Sequence, residues 1–118
     1  MMSEYYALST AMREVLPLRS SVLALAKALK LNESCKTMFR TTVHEDNNGA
    51  FTLANLDPGH TTPRSKFYDS KVHWFRSHLK PNEIEVKKID TKLQLADIFT
   101  KVLPKTTFVE QRKRLCGW

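Results

Sequence analysis

The apolar side chains in the first quarter of the chain recur at helical spacing. The first four are Tyr5, Leu8, Met12 and Val15, and the same spacing continues at Leu18, Val22, Leu25 and Leu29. Ser3 precedes this stripe, and serine is favoured as the residue that caps the start of a helix. Pro17 lies between the two halves, and an interior proline removes a backbone donor and bends a helix. The pattern predicts either one kinked helix or two helices between about residues 3 and 31.

Two segments have the composition or the alternation of β-strands. Residues 37–46 are rich in threonine, valine and phenylalanine, which favours a strand. A period of two places Thr42, His44 and Asp46 on one face of it. Residues 83–89 alternate charged and apolar side chains, which predicts a strand half buried at Ile84 and Val86.

The remaining apolar patterns are helical and complete an α/β order of elements. The predicted helices cover residues 50–55, 65–79, 91–103 and 107–115, and Gly117 is placed to end the last one. The connection between the two strands is long enough for them to pair in parallel. Two strands make a poor sheet for such a domain, because stable sheets usually have three or more. We therefore expect strands to be missing, most simply from the N-terminal side.

Composition limits the class of protein. The chain has 118 residues, of which 42% are hydrophobic and 26% charged, as is usual for a single globular domain. It has neither the apolar run of a membrane span nor the N-terminal pattern of a signal peptide, so we expect an intracellular protein, in the cytoplasm or nucleus, with no membrane partner. Cys35 and Cys116 lie far apart without zinc-ligand spacing, which indicates free thiols.

The net charge of +7 belongs entirely to the second half of the chain. Residues 1–60 carry six basic and six acidic side chains, whereas residues 61–118 carry thirteen basic and six acidic ones. This asymmetry is typical of a protein that binds a polyanion such as nucleic acid. Solubilising helix faces are the alternative explanation.

Three acidic residues lie at the ends or exposed faces of predicted elements. Glu4 is in the first turn of a helix, where it interacts favourably with the helix dipole. Asp46 ends a strand. An aspartate at this position either bonds the local backbone or lies at the carboxyl edge of the sheet, where α/β folds place their chemistry. Asp97 faces away from Leu95 and Phe99, so it is either solvated or part of a site. Three carboxylates that converge from separate elements would form an oxygen-rich site suited to Mg²⁺, but spacing alone does not show that these three converge.

The sequence resembles a known family in four blocks and a C-terminal tail, which are spread across nearly the whole chain. The residues from Glu4 to Val15 resemble "AEYxALSxAxxEV", and those from Glu45 to Ala50 resemble "EDNQGA". Arg64–Lys66 with His73–Arg76 resembles "RTKHIDIRYHFIRE", and Gln94–Lys101 with Leu103 and Pro104 matches "QLADIFTKxLP". The tail, Phe108 to Gly117, resembles "FxxLRxxLG". These blocks occur in the Pol polyproteins of copia-type retrotransposons, in their C-terminal ribonuclease H region.

The resemblance implies a ribonuclease H-like α/β fold in which four acidic residues bind Mg²⁺ and cut the RNA strand of an RNA–DNA hybrid. Carried over by motif, three of these metal ligands and catalytic residues are Glu4, Asp46 and Asp97. The fourth belongs to the first strand, so we expect this chain to lack it together with the first three strands of the fold. Residues 1–103 would form the partial domain, and residues 104–118 its basic C-terminal helix.

Two other charged residues near these motifs have separate interpretations. Asp69 falls in the third block, but a solvated or structural role is expected for it rather than that of the missing ligand. Lys92 is expected to compete with a metal ion at Asp97, because it adds a positive charge about one turn away.

Three functions remain open at this point. The chain is a nuclease module of a larger polyprotein, or a catalytically inactive remnant that binds nucleic acid through phosphates, or a decayed reading frame. The expected partners are an RNA–DNA hybrid or another nucleic acid and the remainder of the polyprotein, with no small-molecule cofactor. Because the strand at 37–46 would lack its neighbour, we also expect the isolated chain to be marginally stable or to associate.

Overall fold

The computed structural model describes residues 2–31 and 40–118. Its first element, α1 (Met2–Ala28), is a single helix that continues through Pro17, so the alternative of two helices is wrong. Because the helix begins at Met2, Ser3 lies inside it, and the Ser3 hydroxyl donates to Glu4 Oε2 at 2.8 Å rather than capping the helix. The predicted end of the helix near Asn32 lies outside the described residues.

The two halves of α1 have different surroundings. The first half is buried at Tyr5, Leu8, Ser9 and Met12. The second half is joined to the sheet by Arg19, whose guanidinium donates to Thr41 Oγ1 at 3.0 Å and lies 3.7 Å from Glu83 Oε2. An apolar stripe stays exposed along this half, consisting of Leu18, Val22, Leu25 and Leu29.

The predicted strands pair in parallel, as their long connection suggests. They are β1 (Thr41–Glu45) and β2 (Ile84–Lys88), with Thr41 opposite Ile84 and Glu45 opposite Lys88. Residues 37–39 of the predicted strand lie outside the described residues. Ile84 and Val86 are buried as predicted, and Thr42 and His44 lie together on the exposed face of β1.

A short helix covers the inner face of this sheet. It is α2 (Asn48–Ala54), which begins where the Asn47 side chain accepts the backbone N–H of Ala50. It contacts α1 and both strands. The resulting core consists of Tyr5, Leu8, Met12, Ala50, Leu53, Ala54, Val72, Phe75, Leu79, Ile84 and Val86.

The predicted continuous helix over residues 65–79 is wrong. The segment consists of turns, one 3-10 turn (Ser70–Val72) and the short helix α3 (Arg76–Leu79). Side chains compete successfully for the backbone here: Asp69 accepts the N–H of Lys71, and the buried Ser65 forms hydrogen bonds with Thr62. Asp69 therefore has the expected structural role.

The predicted helix over residues 91–103 is also interrupted. Asp90 accepts the N–H of Lys92 and starts a 3-10 turn (Thr91–Leu93), and helix α4 (Asp97–Thr100) follows. The final helix, α5 (Lys105–Cys116), is confirmed and is longer than predicted. It ends at Gly117, whose φ of 77° suits glycine. No helix among the described residues is both long and apolar enough to cross a membrane.

Candidate carboxylate site

The three predicted site residues come from three separate elements. Glu4 is in the first turn of α1, Asp46 directly follows β1, and Asp97 is the first residue of α4. Asp97 is only 8% exposed, so the interpretation of this residue as a solvated side chain is wrong. Asp46 is half-buried at the carboxyl end of its strand.

One ammonium group contacts Asp97 and interacts electrostatically with the other two carboxylates. Lys101 Nζ lies 3.1 Å from Asp97 Oδ1, one helical turn further along the chain. The hydrogen bond to Asp97 raises the pKa of Lys101, and the charges of Asp97, Asp46 and Glu4 add to this effect. The structure therefore brings the three predicted acids within electrostatic range of a single cation. We refer to Glu4, Glu45, Asp46 and Asp97 as the carboxylate cluster.

Glu45 is the member of the carboxylate cluster that sequence reasoning missed. It is buried at the end of β1, and its Oε1 accepts the backbone N–H of Asn47 at 2.9 Å. Burial raises the pKa of the Glu45 carboxyl, the Asn47 N–H lowers it, and the neighbouring charges of Asp46 and Glu4 raise it further. The sequence of β1 contained a signal for this residue, because the alternation of a strand puts Glu45 on the same face as the inward-facing Val43.

Two contacts from outside the cluster fix its geometry around β1. The Gln94 side chain donates to the main-chain oxygen of His44 at 3.0 Å, which holds the segment before α4 against the strand. Lys88 Nζ donates to the main-chain oxygen of Asp46. The first contact brings the segment that carries Asp97 to the carboxyl end of β1, and the second brings the Lys88 ammonium to the same end.

The start of α1 is fixed by polar contacts with the segment before α3. The Tyr5 hydroxyl and His73 Nδ1 share a hydrogen bond of 2.8 Å, and the Trp74 indole donates to Ser9 Oγ at 3.0 Å. Burial raises the pKa of Tyr5 to about 12, so its hydroxyl stays protonated at ordinary pH. These contacts determine where α1 presents Glu4.

The carboxylate cluster has suitable ligand atoms for Mg²⁺ but not a suitable arrangement. Carboxylate oxygens are the ligands that Mg²⁺ prefers. Within residues 2–31 and 40–118, however, no three His, Cys, Asp or Glu side chains are grouped so that they could hold a metal ion. Asp97 is paired with Lys101 and Glu45 with a backbone N–H. The cation in contact with Asp97 is Lys101, whereas the expected competitor Lys92 is exposed in its 3-10 turn.

The basic side chains of the second half are mostly on the surface. Of the thirteen between residues 61 and 118, only Arg76 is buried and only Arg112 is half-buried. Arg76 donates to the main-chain oxygens of Leu53 and His60, so it stabilises the fold. The exposed cations are Arg64, Lys66, Lys71, Lys80, Lys87, Lys88, Lys92, Lys101, Lys105, Lys113 and Arg114.

Comparison with known proteins identifies a relative among the retrotransposon polyproteins. The chain is 35% identical over 75 residues to the Retrovirus-related Pol polyprotein from transposon TNT 1-94 of Nicotiana tabacum, and the alignment covers 64% of this chain. This similarity supports a retrotransposon Pol origin. The chain spans 5% of the length of the tobacco protein. No family model matches the chain, and no solved structure matches it.

Proposed function

We propose that the chain is part of the ribonuclease H region of a copia-type retrotransposon Pol polyprotein, whose intact form hydrolyses the RNA strand of RNA–DNA hybrids. The Pol relative and the four motif blocks in family order support this assignment. In the cell, the partners would be a hybrid duplex and the remainder of the polyprotein. Mg²⁺ would be the cofactor of the intact region.

The observation that carries the proposal is the 35% identity over 75 residues to a retrotransposon Pol polyprotein, and the motif blocks that contain Glu4, Asp46 and Asp97 support the same region. These three residues belong to motif blocks that are about forty and fifty residues apart in the sequence, yet Lys101 interacts electrostatically with all three. Asp46 lies at the carboxyl end of a parallel strand, which is where open α/β sheets place their chemistry.

A second candidate function is nucleic-acid binding without catalysis. It is favoured by the pairing of Asp97 with Lys101 and by the exposure of eleven basic side chains in the second half. Lysine and arginine side chains bind phosphates whatever the base sequence, and their affinity falls steeply with added salt. Duplex RNA and hybrids would be bound through their shape and backbone.

Cleavage and binding of a labelled RNA–DNA hybrid separate the two candidates. In Mg²⁺ buffer, a nuclease module cleaves the RNA strand and Asp46→Asn abolishes cleavage. Asp57→Asn is the matched control, because Asp57 is an exposed residue whose carboxylate lies 3.8 Å from Lys80 Nζ on the surface. Loss of cleavage in both variants would mean that Asp46 has no special role.

A binding titration tests the second candidate directly. If the hybrid binds without being cleaved and affinity falls steeply between about 50 and 200 mM salt, the binding function is supported. If the chain binds no hybrid at about 50 mM salt, both functions fail for the chain on its own, and a decayed reading frame is the remaining explanation.

A further inference from the structure

The second half of α1 has an apolar face that the described residues leave exposed. It is the apolar stripe of Leu18, Val22, Leu25 and Leu29, whose members are between 39% and 66% exposed. Leu29 directly follows α1, but its N–H donates to the main-chain oxygen of Leu25 at 2.9 Å, so the helical arrangement continues to it. The buried residues of α1 all belong to its first half. A contiguous exposed aliphatic surface of this kind is typical of a protein-binding site.

The apolar stripe of α1 has the spacing of a helix that pairs with another helix. Its members follow one another at intervals of four, three and four residues, as the a and d positions of a heptad do. The flanking positions of a heptad normally carry the charges that select a partner. Here three of them, Ser21, Ala26 and Ala28, are small and uncharged, and the fourth, Arg19, already bonds to Thr41. A second helix can therefore approach the stripe closely.

A second copy of the chain matches the apolar stripe when the two helices run in opposite directions. The intervals of four, three and four are the same when read backwards, so the reversed stripe aligns with itself. In that register, Leu18 lies opposite Leu29 of the second copy, and Val22 lies opposite Leu25 of the second copy. Every layer of the contact then joins two aliphatic side chains. The same surface serves both copies, as in a closed two-fold dimer.

Charge favours this antiparallel arrangement over a parallel one. The charged side chains of residues 15–31 are all basic, namely Arg19, Lys27 and Lys30. A parallel pair would bring each of these cations to the height of its own copy, whereas the antiparallel register places Arg19 level with Ala28 and Lys27 level with Ser20. The macrodipoles of two antiparallel helices also attract each other, because the positive end of one lies beside the negative end of the other.

The length of the apolar stripe sets the strength of the pairing. From Leu18 to Leu29 the helix is about 16 Å long at 1.5 Å per residue. Two helices that pair over this length bury less than the roughly 1,200 Å² at which stable complexes begin. The contact is therefore a weak and reversible one, which forms at high protein concentration.

We propose that the apolar stripe of α1 is a dimer interface, through which two copies of the chain pair in an antiparallel arrangement. The inference is independent of the proposed function, because neither the carboxylate cluster nor a nucleic acid takes part in the contact. It also differs from association through the unpaired edge of the sheet, because a two-fold helix contact is complete with two copies.

Disulfide formation between introduced cysteines tests the register. Both natural cysteines, Cys35 and Cys116, are first replaced by serine. The Leu18→Cys and Leu29→Cys proteins, one of them isotopically labelled so that mixed dimers differ in mass, are then mixed and mildly oxidised. The mixed disulfide should form about tenfold faster than either same-position disulfide. The two copies of Leu18 would be about 16 Å apart along the helix axis, whereas a disulfide needs Cα atoms within about 7 Å.

Ser20→Cys mixed with Lys27→Cys is the matched control pair. These two positions are level with each other in the same register, but they are exposed on the other side of α1. Their mixed disulfide should form no faster than their same-position disulfides. Sedimentation of the unaltered chain between about 10 and 500 μM gives a second readout, and it should show a reversible equilibrium of monomer and dimer.

Three results would each overturn the proposal. Equal yields of mixed disulfide in the two pairs would mean that the stripe is not the contact. An excess of same-position disulfides at Leu18 or Leu29 would indicate parallel helices. A monomeric unaltered chain at every concentration is the result expected if the remainder of the polyprotein covers the stripe instead. None of these measurements involves nucleic acid, so they are separate from the tests of the proposed function.

Discussion

The Tyr5→Phe substitution removes one hydrogen bond and leaves the packing of the core in place. Tyr5 is completely buried, and its ring centroid lies 5.3 Å from that of His73 and 5.5 Å from that of Phe75. Phenylalanine retains this ring, so no cavity forms. What is lost is the 2.8 Å hydrogen bond between the Tyr5 hydroxyl and His73 Nδ1.

The cost follows from the state of the His73 ring after the change. Its Nε2 is already buried without a hydrogen-bond partner among the described residues. Losing the bond at Nδ1 leaves the second ring nitrogen unsatisfied as well. An unsatisfied buried polar group costs about 1–3 kcal/mol, so we expect a loss of about 2 kcal/mol. For a domain of this size, the melting temperature should fall by roughly 8 °C.

Urea unfolding followed by circular dichroism at pH 7.5 measures this loss. Tyr6→Phe is the matched control, because it removes the same hydroxyl from the neighbouring, exposed position on α1. That variant should unfold within about 0.5 kcal/mol of the unaltered chain. Native-state hydrogen exchange of the first half of α1 provides the same comparison by a second method. Equal stability of the Tyr5→Phe and Tyr6→Phe variants would refute the role assigned to the Tyr5–His73 bond.

Two further predictions concern pH and association. Burial and the charge of Arg76 lower the pKa of His73, so the native state binds fewer protons than the unfolded state, and stability should fall as pH decreases below about 6.5. Between pH 7.5 and 5.5, the urea midpoint of His73→Gln should depend less on pH than that of the unaltered chain. The urea midpoint of His78→Gln should keep the pH dependence of the unaltered chain, and equal pH dependence in the two variants would contradict the prediction. Leu25 is 60% exposed on the apolar stripe of α1, so Leu25→Glu should reduce self-association in analytical ultracentrifugation. Ser20→Glu, on the opposite face of the helix, should leave self-association unchanged. If the unaltered chain is a monomer with a cooperative thermal transition, the expected association is refuted.

The elements with regular, uninterrupted patterns were predictable. The alternation around Ile84 and Val86 identified β2, and Gly117 marked the end of α5. Helical spacing failed where short polar side chains compete for the backbone. Asp69 and Asp90 each start a 3-10 turn by accepting a backbone N–H, and a count of apolar positions cannot detect this.

The motif resemblance named three acids of the carboxylate cluster, but it gave neither Glu45 nor the arrangement of the four. The motif resemblance selected Glu4, Asp46 and Asp97, and the structure brings all three into electrostatic range of one lysine. The alternation of β1 contained a signal for Glu45, but its importance depends on burial, which only packing determines. Metal ligation by these acids stays a prediction. Among the described residues, their arrangement does not suit a metal ion.

The sequence by itself determined the two strands and the last helix, the concentration of positive charge in the second half, and three of the four acids of the carboxylate cluster. These properties depend on side-chain chemistry and on spacings of a few residues. Only the tertiary structure decided that Asp97 is buried and that Lys101, rather than Lys92, is its partner. That choice depends on where α4 ends and on how the segment before it is held against β1. The second of these is set by the contact between Gln94 and His44, which are 50 residues apart in the sequence.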